Sequence, residues 1–160
     1  MKILSANAGY LLDYDGSLSD YALKPHRAMV GSRGAEERAT DRLVDVIADE
    51  RPDIVTLVEV DQGSLRTATD GQVARIAEKL AERGLDYDAR ADGKYGDGNV
   101  LANLPVLEHL SNGLLVRSDL DCETTAHYLD TGPKRLVSEA RIGDLSVFGV
   151  HLAMSGRGRR

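Results

Sequence analysis

The sequence has one cysteine, Cys122, in 160 residues. A single cysteine cannot form a disulfide within the chain, so nothing here favours an oxidising compartment. We expect Cys122 to be a small, buried or half-buried residue rather than a nucleophile. No stretch is apolar and long enough to span a bilayer, and Asn7 and Gly9 interrupt the apolar run that follows Met1. We therefore predict a cytoplasmic protein that does not associate with membranes.

The chain also lacks an excess of positive charge. Its 26 acidic and 20 basic side chains give a net charge of −6. A surface that binds long nucleic acid is normally basic, so this balance slightly disfavours such a substrate. It does not exclude phosphate chemistry, because a bound metal ion can neutralise a local group of acids. The length predicts one domain with a sizeable core.

The first half of the sequence predicts a strand, a helix and a second strand. Residues 2–7 form a short apolar run, residues 35–51 have helical spacing, and residues 53–60 are mostly apolar. Two strands joined by a helix form a right-handed crossover, so these strands should be parallel neighbours. Their carboxyl ends then meet at one edge of the sheet, where ligands of open α/β sheets gather. This topology brings Asn7 close to Glu59.

Two helices are expected to cover the outer face of this sheet. The first helix presents a stripe of four apolar residues: Ala39, Leu43, Val46 and Ile47. Thr69 and Gln72 have the spacing of a capping box for a second helix, which should end at Gly84. That helix carries four apolar residues on one face: Val73, Ile76, Ala77 and Leu80.

Beyond Leu85 the pattern changes to short apolar runs separated by Gly, Asp, Asn and Pro. This pattern predicts an antiparallel meander. The runs cover residues 99–104, 113–116, 135–142 and 145–152. Gly143 and Asp144 lie between the last two runs and predict a tight hairpin turn.

Four motifs follow one another along the chain: Ser5-Ala-Asn7-Ala-Gly9, Pro52-Asp-Ile-Val-Thr-Leu-Val-Glu59-Val-Asp61, Gly98-Asn99-Val-Leu-Ala-Asn-Leu-Pro105-Val and Val147-Phe-Gly-Val-His151-Leu. In this order they resemble the endonuclease/exonuclease/phosphatase family, over residues 2 to about 152. The resemblance implies an α/β protein of the family's β-sandwich type with outer helices, represented here by one sheet and two helices. It also implies Mg²⁺-dependent hydrolysis of a phosphoester, with Mn²⁺ as an alternative ion.

The resemblance implies roles for individual residues. Asn7 matches an asparagine that contacts the scissile phosphate, and His151 matches a histidine that stabilises the phosphate as its charge develops. Glu59 matches the glutamate that binds the catalytic Mg²⁺, an ion that prefers oxygen ligands. Asn99 and Arg135 are candidates for phosphate contacts, with a structural role and a solvated strand end as their alternatives. The remaining histidines are expected at the surface: His26, His109 and His127.

Two motifs that the resemblance implies after His151 are absent from that part of the sequence. Family members continue with Gly-Asp-x-Asn, which handles the attacking water, and end with an Asp-His pair; neither occurs here in the matching order. We therefore expect one incomplete domain, equivalent to the first half to two thirds of a family member and inactive as an isolated chain. Its partners would be a phosphoester of unknown class and either a complementary fragment or a second copy of itself. The alternative is a non-catalytic remnant or binding module that retains the fold.

Overall fold

Two sheets and two helices make up the described part of the chain. The computed structural model describes residues 1–11, 33–63, 71–95, 109–130 and 136–152. The strands are β1 (Ile3–Asn7), β2 (Ile54–Asp61), β3 (Tyr87–Gly93), β4 (Leu110–Arg117), β5 (Glu123–Tyr128), β6 (Leu136–Ile142) and β7 (Leu145–Val150). The helices are α1 (Arg33–Glu50) and α2 (Gln72–Ala81), and a 3-10 turn covers Gly9–Leu11. In these ranges no helix is long and apolar enough to cross a membrane.

The first sheet, sheet A, has the strand order β1-β2-β4-β3. Strands β1 and β2 are parallel, with Ile3 opposite Ile54 and Asn7 opposite Val58. The other two strand pairs are antiparallel. The parallel pair predicted from the strand-helix-strand pattern is therefore confirmed, and so is the meeting of the two carboxyl ends.

Both helices pack on one face of sheet A, as predicted. The buried cluster on this face combines residues of α1, α2, β2 and β4: Val44, Ile47, Val73, Ile76, Leu80, Val55, Leu57, Val60 and Leu115. One member of the predicted stripe is wrong, because Val46 is 48% exposed while Val44 is fully buried. Val44 lies three residues before Ile47 and shares its side of the helix, whereas Val46 points away.

The ends of α2 confirm one predicted signal and correct another. Gly84 has a φ of 74°, and the amide of Leu85 donates to the carbonyl of Leu80 at 3.0 Å, which is the predicted glycine stop. The predicted capping box is wrong, since Gly71 is the N-cap residue and Gln72 is therefore the first residue of the helix rather than the third. Thr69 lies outside the described residues, and the Gln72 side chain serves a different purpose, described below.

A second sheet, sheet B, has the order β5-β6-β7 and is antiparallel throughout. It covers the face of sheet A that is opposite the helices, where Ile54, Leu114, Val116 and Ala140 form a buried cluster. The prediction that one sheet represents the fold is therefore corrected, because the described residues form two, and the predicted sandwich class is confirmed. The predicted hairpin is also confirmed, since Ile142 pairs with Leu145 around the Gly143 turn.

Cys122 packs half-buried against the cluster between the sheets. Burial raises the pKa of its thiol above the ordinary value. A raised pKa lowers the fraction of reactive thiolate, so Cys122 is a packing residue, as predicted. The predicted run at residues 99–104 lies outside the described residues.

Candidate functional site

The carboxyl ends of β1 and β2 lie side by side at one edge of sheet A. The amide of Ala8 donates to the carbonyl of Val58 at 2.9 Å, which continues the pairing one residue beyond β1. The Oδ1 atom of Asn7 accepts a hydrogen bond from the amide of Gly9 at 2.9 Å. This bond fixes the orientation of the Asn7 amide, so its NH₂ group is the part left to face a ligand.

A β-bulge interrupts the pairing of β2 with β4 where Glu59 occurs. Leu57 pairs with Gly113 and Val60 with Ser111, so two residues of β2, Val58 and Glu59, lie opposite Asn112 alone. Glu59 has a φ of 57°, in the left-handed region that residues other than glycine rarely adopt. Such a conformation costs of order 1–3 kcal/mol and occurs most often at functional sites.

The bulge determines which face of the sheet Glu59 occupies. Val55 and Leu57 face the helices, and strict alternation would place Glu59 with them. Instead Val60 returns to the helix-side cluster, and the inserted residue turns Glu59 toward sheet B. A buried carboxylate beneath the helices is thereby avoided.

His151 follows β7 and meets Glu59 from sheet B. Its Nε2 atom lies 3.2 Å from Oε1 of Glu59, and the two side chains are 9% and 25% exposed. Gly149 allows this approach, because a Cβ at that position would lie 3.2 Å from Cβ of Thr56 in β2. Two residues that the sequence motifs singled out are thus in contact, although they come from different sheets.

Asn112 is a residue of this region that the sequence analysis missed. It lies across from the bulge and is 2% exposed. Neither Oδ1 nor Nδ2 of its amide has a hydrogen-bond partner in the described part of the chain. The signal was available in the sequence, because Asn112 is a polar residue that alternates with Leu114 and Val116 along a buried strand.

A left-handed turn follows β1 beside the site. Gly9, Tyr10 and Leu11 all have positive φ values, between 51° and 58°. Leu11 is buried, and Nε2 of Gln72 donates to the carbonyl of Tyr10 at 2.7 Å. The buried side chain and this hydrogen bond compensate for the strained backbone, and they hold the turn beside Asn7.

Gln72 connects three elements beneath the site edge. Besides the bond to Tyr10, its Nε2 donates to Oε1 of Glu36 in α1 at 3.0 Å. Its Oε1 accepts from the amide of Asp61 at the end of β2, also at 3.0 Å. The Gln72 side chain is 1% exposed, so these bonds are shielded from water and brace the edge that carries Glu59.

Lys94 brings positive charge to the same edge and was also missed. It follows β3 and is 7% exposed, and its backbone amide donates to the carbonyl of Leu110 at 2.8 Å. Its Nζ atom donates to the hydroxyl of Tyr10 at 3.1 Å and lies 5.7 Å from the centre of that ring. Lys94 lies at a strand end and outside any of the motifs, so the sequence gives no signal that its side chain lies at this edge of the sheet.

The remaining candidates are not part of the described site. Asn99 and Arg135 lie outside the described residues, as does His26. His127 is exposed on the outer face of sheet B, where Nε2 lies 2.6 Å from Oε2 of Glu139. It is therefore a surface residue, as predicted, while His109 is half-buried at the start of β4.

The donor set suits a hydrated hard cation. Glu59 supplies a carboxylate on the strand opposite Asn112, whose amide has no partner among the described residues. Mg²⁺ is typically held by one or two carboxylates with several waters retained. Among the residues that the structure describes, no three His, Cys, Asp or Glu side chains group together as a metal cage. The described residues therefore fit a weakly held, hydrated Mg²⁺ and not an ion enclosed by protein ligands.

Comparisons with known proteins identify the fold. No protein-family model matches the sequence, and no curated protein sequence matches it. Among solved structures, the chain is similar to an endonuclease/exonuclease/phosphatase family protein from Leptotrichia buccalis C-1013-b, with a TM-score of 0.60 and 14% identity. It is also similar to an endonuclease/exonuclease/phosphatase from Beutenbergia cavernae DSM 12333, with a TM-score of 0.54 and 22% identity.

These similarities extend over nearly the whole chain but not over the whole of the other proteins. The matches cover 96% and 98% of this chain, and 55% and 39% of the respective structures. At such identities the likeness establishes the fold. The fold that the four sequence motifs indicated is therefore confirmed, and this chain spans about half or less of the length of each protein it matches.

Proposed function

We propose that this chain carries part of the active site of a Mg²⁺-dependent phosphoester hydrolase. The contact between Glu59 and His151 carries the proposal, because a strained bulge in one sheet and a close approach of the other are both needed to form it. Packing requires neither group. The likeness in fold to two proteins of the endonuclease/exonuclease/phosphatase family supports the same reaction class.

In this proposal each residue of the site has a separate task. Glu59 would hold the cation through its carboxylate, which also lies beside Nε2 of His151. A bound Mg²⁺ would supply positive charge that offsets the charge developing on the phosphoryl oxygens. His151 places its ring beside the phosphate in an orientation set by Glu59, and Asn7 donates from its NH₂ group to a phosphoryl oxygen.

The proposed substrate is a phosphoester, and the net charge of −6 favours a small one over long nucleic acid. Asn99 and Arg135 remain proposed phosphate contacts. In this proposal His151 contacts the phosphate, so the attacking water needs a further group as its base. We therefore propose that the isolated chain binds the cation but does not turn over substrate. A cytoplasmic location also remains a prediction.

A non-catalytic binding module with the same fold is the second candidate. The absence of a cage of three acidic or histidine ligands in the described ranges favours it. The two candidates differ in what a second fragment would do. If the chain is part of a hydrolase, a second fragment that supplies the missing groups should restore turnover. If the chain is a binding module, adding such a fragment should produce no turnover.

Mn²⁺ binding, followed by electron paramagnetic resonance of the free ion, tests the proposed cation site. We expect the parent chain to bind one Mn²⁺ with a dissociation constant of about a millimolar, because few protein ligands hold it. Glu59→Gln should abolish binding at this site. Glu139→Gln is the matched control, since it alters a second Glu-His contact on the outer face of sheet B.

Two results would refute the assignment of Glu59 as the cation ligand. Either both variants lose Mn²⁺ binding equally, or Glu59→Gln binds Mn²⁺ as well as the parent does. Hydrolysis of bis(4-nitrophenyl) phosphate with Mg²⁺ is measured on the same samples. We expect no turnover above background, because groups that act as a unit fail together when some are missing. Robust hydrolysis that Glu59→Gln abolishes would show that other residues, such as Asp61, supply the missing functions.

A further inference from the structure

Asn112 is a buried amide with unmet hydrogen-bonding capacity. Its Oδ1 and Nδ2 atoms are both inaccessible to solvent and have no hydrogen-bond partner in the described part of the chain. Buried amides nearly always have a partner, because leaving one unpaired costs stability. Leucine would fill a similar volume between apolar neighbours without that cost.

The position of Asn112 directs its side chain toward the Glu59–His151 contact. Leu114 and Val116 face sheet B, and a Cβ at Gly113 would meet Val73 on the helix side. Alternation along β4 therefore places Asn112 on the sheet B face. Glu59 occupies the same face, and both bulge residues of β2 lie directly opposite Asn112.

We propose that Asn112 is a positioning residue for the cation site, an inference that rests on the proposed function. With a divalent cation on Glu59, the Asn112 NH₂ group would donate to the Glu59 carboxylate and hold it toward the ion. This bond would pair the Nδ2 atom, which has no partner among the described residues in the absence of the ion. Residues around a metal's direct ligands act in this way, orienting the ligand.

Asn112→Leu separates this role from a purely structural one. In the absence of cation the variant should be more stable than the parent, by about 2–4 °C in melting temperature, because it removes an unsatisfied amide. With MnCl₂, its dissociation constant should be about tenfold higher than that of the parent. A structural residue would not change stability and affinity in opposite directions.

Ser138→Ala is the matched control. Ser138 is 1% exposed between the same sheets, and its Oγ atom also has no partner among the described residues. It pairs with Gly149, away from the bulge. Its removal should leave Mn²⁺ affinity at the parent value.

Asn112→Asp is a second variant, in which melting temperature and Mn²⁺ dissociation constant should each change in the direction opposite to that in Asn112→Leu. A buried carboxylate opposite Glu59 should lower the melting temperature in a chelator and lower the Mn²⁺ dissociation constant below that of the parent. This result keeps the test decisive if the leucine variant does not fold.

The two proposals fail in different ways. Parent-like Mn²⁺ affinity in both Asn112 variants, with binding still lost in Glu59→Gln, would overturn the role of Asn112 and leave the cation site standing. A parent chain that binds no Mn²⁺ would overturn both. A leucine variant that folds but is less stable than the parent would show that the amide is already satisfied and would overturn the role of Asn112.

Discussion

Nε2 of His151 lies 3.2 Å from Oε1 of Glu59, although one residue follows the last strand of sheet B and the other belongs to sheet A. The contact depends on two backbone features close to these residues. The bulge opposite Asn112 turns Glu59 out of the helix-side core, and Gly149 lets β7 approach Thr56. Each feature can be tested separately.

The strained backbone at Glu59 predicts a stability difference between two substitutions. Glu59→Gly should be more stable than Glu59→Ala by about 1 kcal/mol, because glycine adopts a φ of 57° without the Cβ penalty. Both variants lack the carboxylate, so their difference isolates the backbone conformation. Urea unfolding provides the measurement. Equal stabilities would show that this residue carries no left-handed strain.

The close approach at Gly149 predicts a destabilising alanine. Gly149→Ala would place a Cβ 3.2 Å from Cβ of Thr56, and forcing the sheets apart should cost about 1–3 kcal/mol. Gly34→Ala is the control, since its Cβ would meet only the flexible end of Arg38 in helix α1, where alanine is favoured. A Gly149→Ala variant as stable as Gly34→Ala would contradict the observed packing of β7 on β2.

An ion-pair group between the helices predicts acid sensitivity. Lys79 and then Arg75 lower the pKa of Glu37 below its ordinary value of 4.5, through hydrogen bonds of 2.7 and 2.6 Å. Because the pKa of Glu37 is lower in the folded state, the ion pairs stabilise the fold fully at a pH above the ordinary pKa. This stabilisation is lost as the pH falls through the lowered pKa of the folded state. The parent should therefore melt above Glu37→Gln at about pH 7, and this difference should shrink toward about pH 3. A difference that is constant with pH would contradict this assignment.

Exposed apolar side chains at two sheet edges predict self-association. Ile3 on β1 is 48% exposed, and Phe148 and Val150 on β7 are 54% and 45% exposed. Apolar residues on edge strands favour pairing with another chain. Sedimentation velocity should show concentration-dependent association that Phe148→Ser weakens. Val46→Ser, which alters an equally exposed valine on α1, is the control. A monomer at all concentrations would contradict the prediction.

The sequence predicted the elements whose signals are local. The crossover of β1, α1 and β2, the Gly84 stop and the Gly143 turn follow from short patterns, and the structure confirms them. Strands β3 and β5 were not predicted. Both lie at sheet edges, where one side faces water, and their sequences (Tyr-Asp-Ala-Arg-Ala-Asp-Gly and Glu-Thr-Thr-Ala-His-Tyr) lack the apolar runs typical of central strands.

The candidate site was only partly predictable for a similar reason. The position of Glu59 at a strand end is visible in the sequence, but its direction depends on a bulge that forms only against β4. The alternation of Asn112 with two apolar residues is visible in the sequence, but its significance depends on that pairing and on burial by sheet B. Local patterns do not encode such long-range contacts.

Paramagnetic broadening by Mn²⁺ in the amide spectrum of the ¹⁵N-labelled chain tests most directly whether Asn7, Glu59 and His151 share one site. At the lowest Mn²⁺ concentrations, signals of Asn7, Val58, Glu59 and His151 should broaden first, and Glu59→Gln should remove the effect. A cation site at the edge of sheet A would be contradicted if the signals around Glu139 and His127 broadened first. It would also be contradicted if the signals broadened uniformly over the acidic surface of α1.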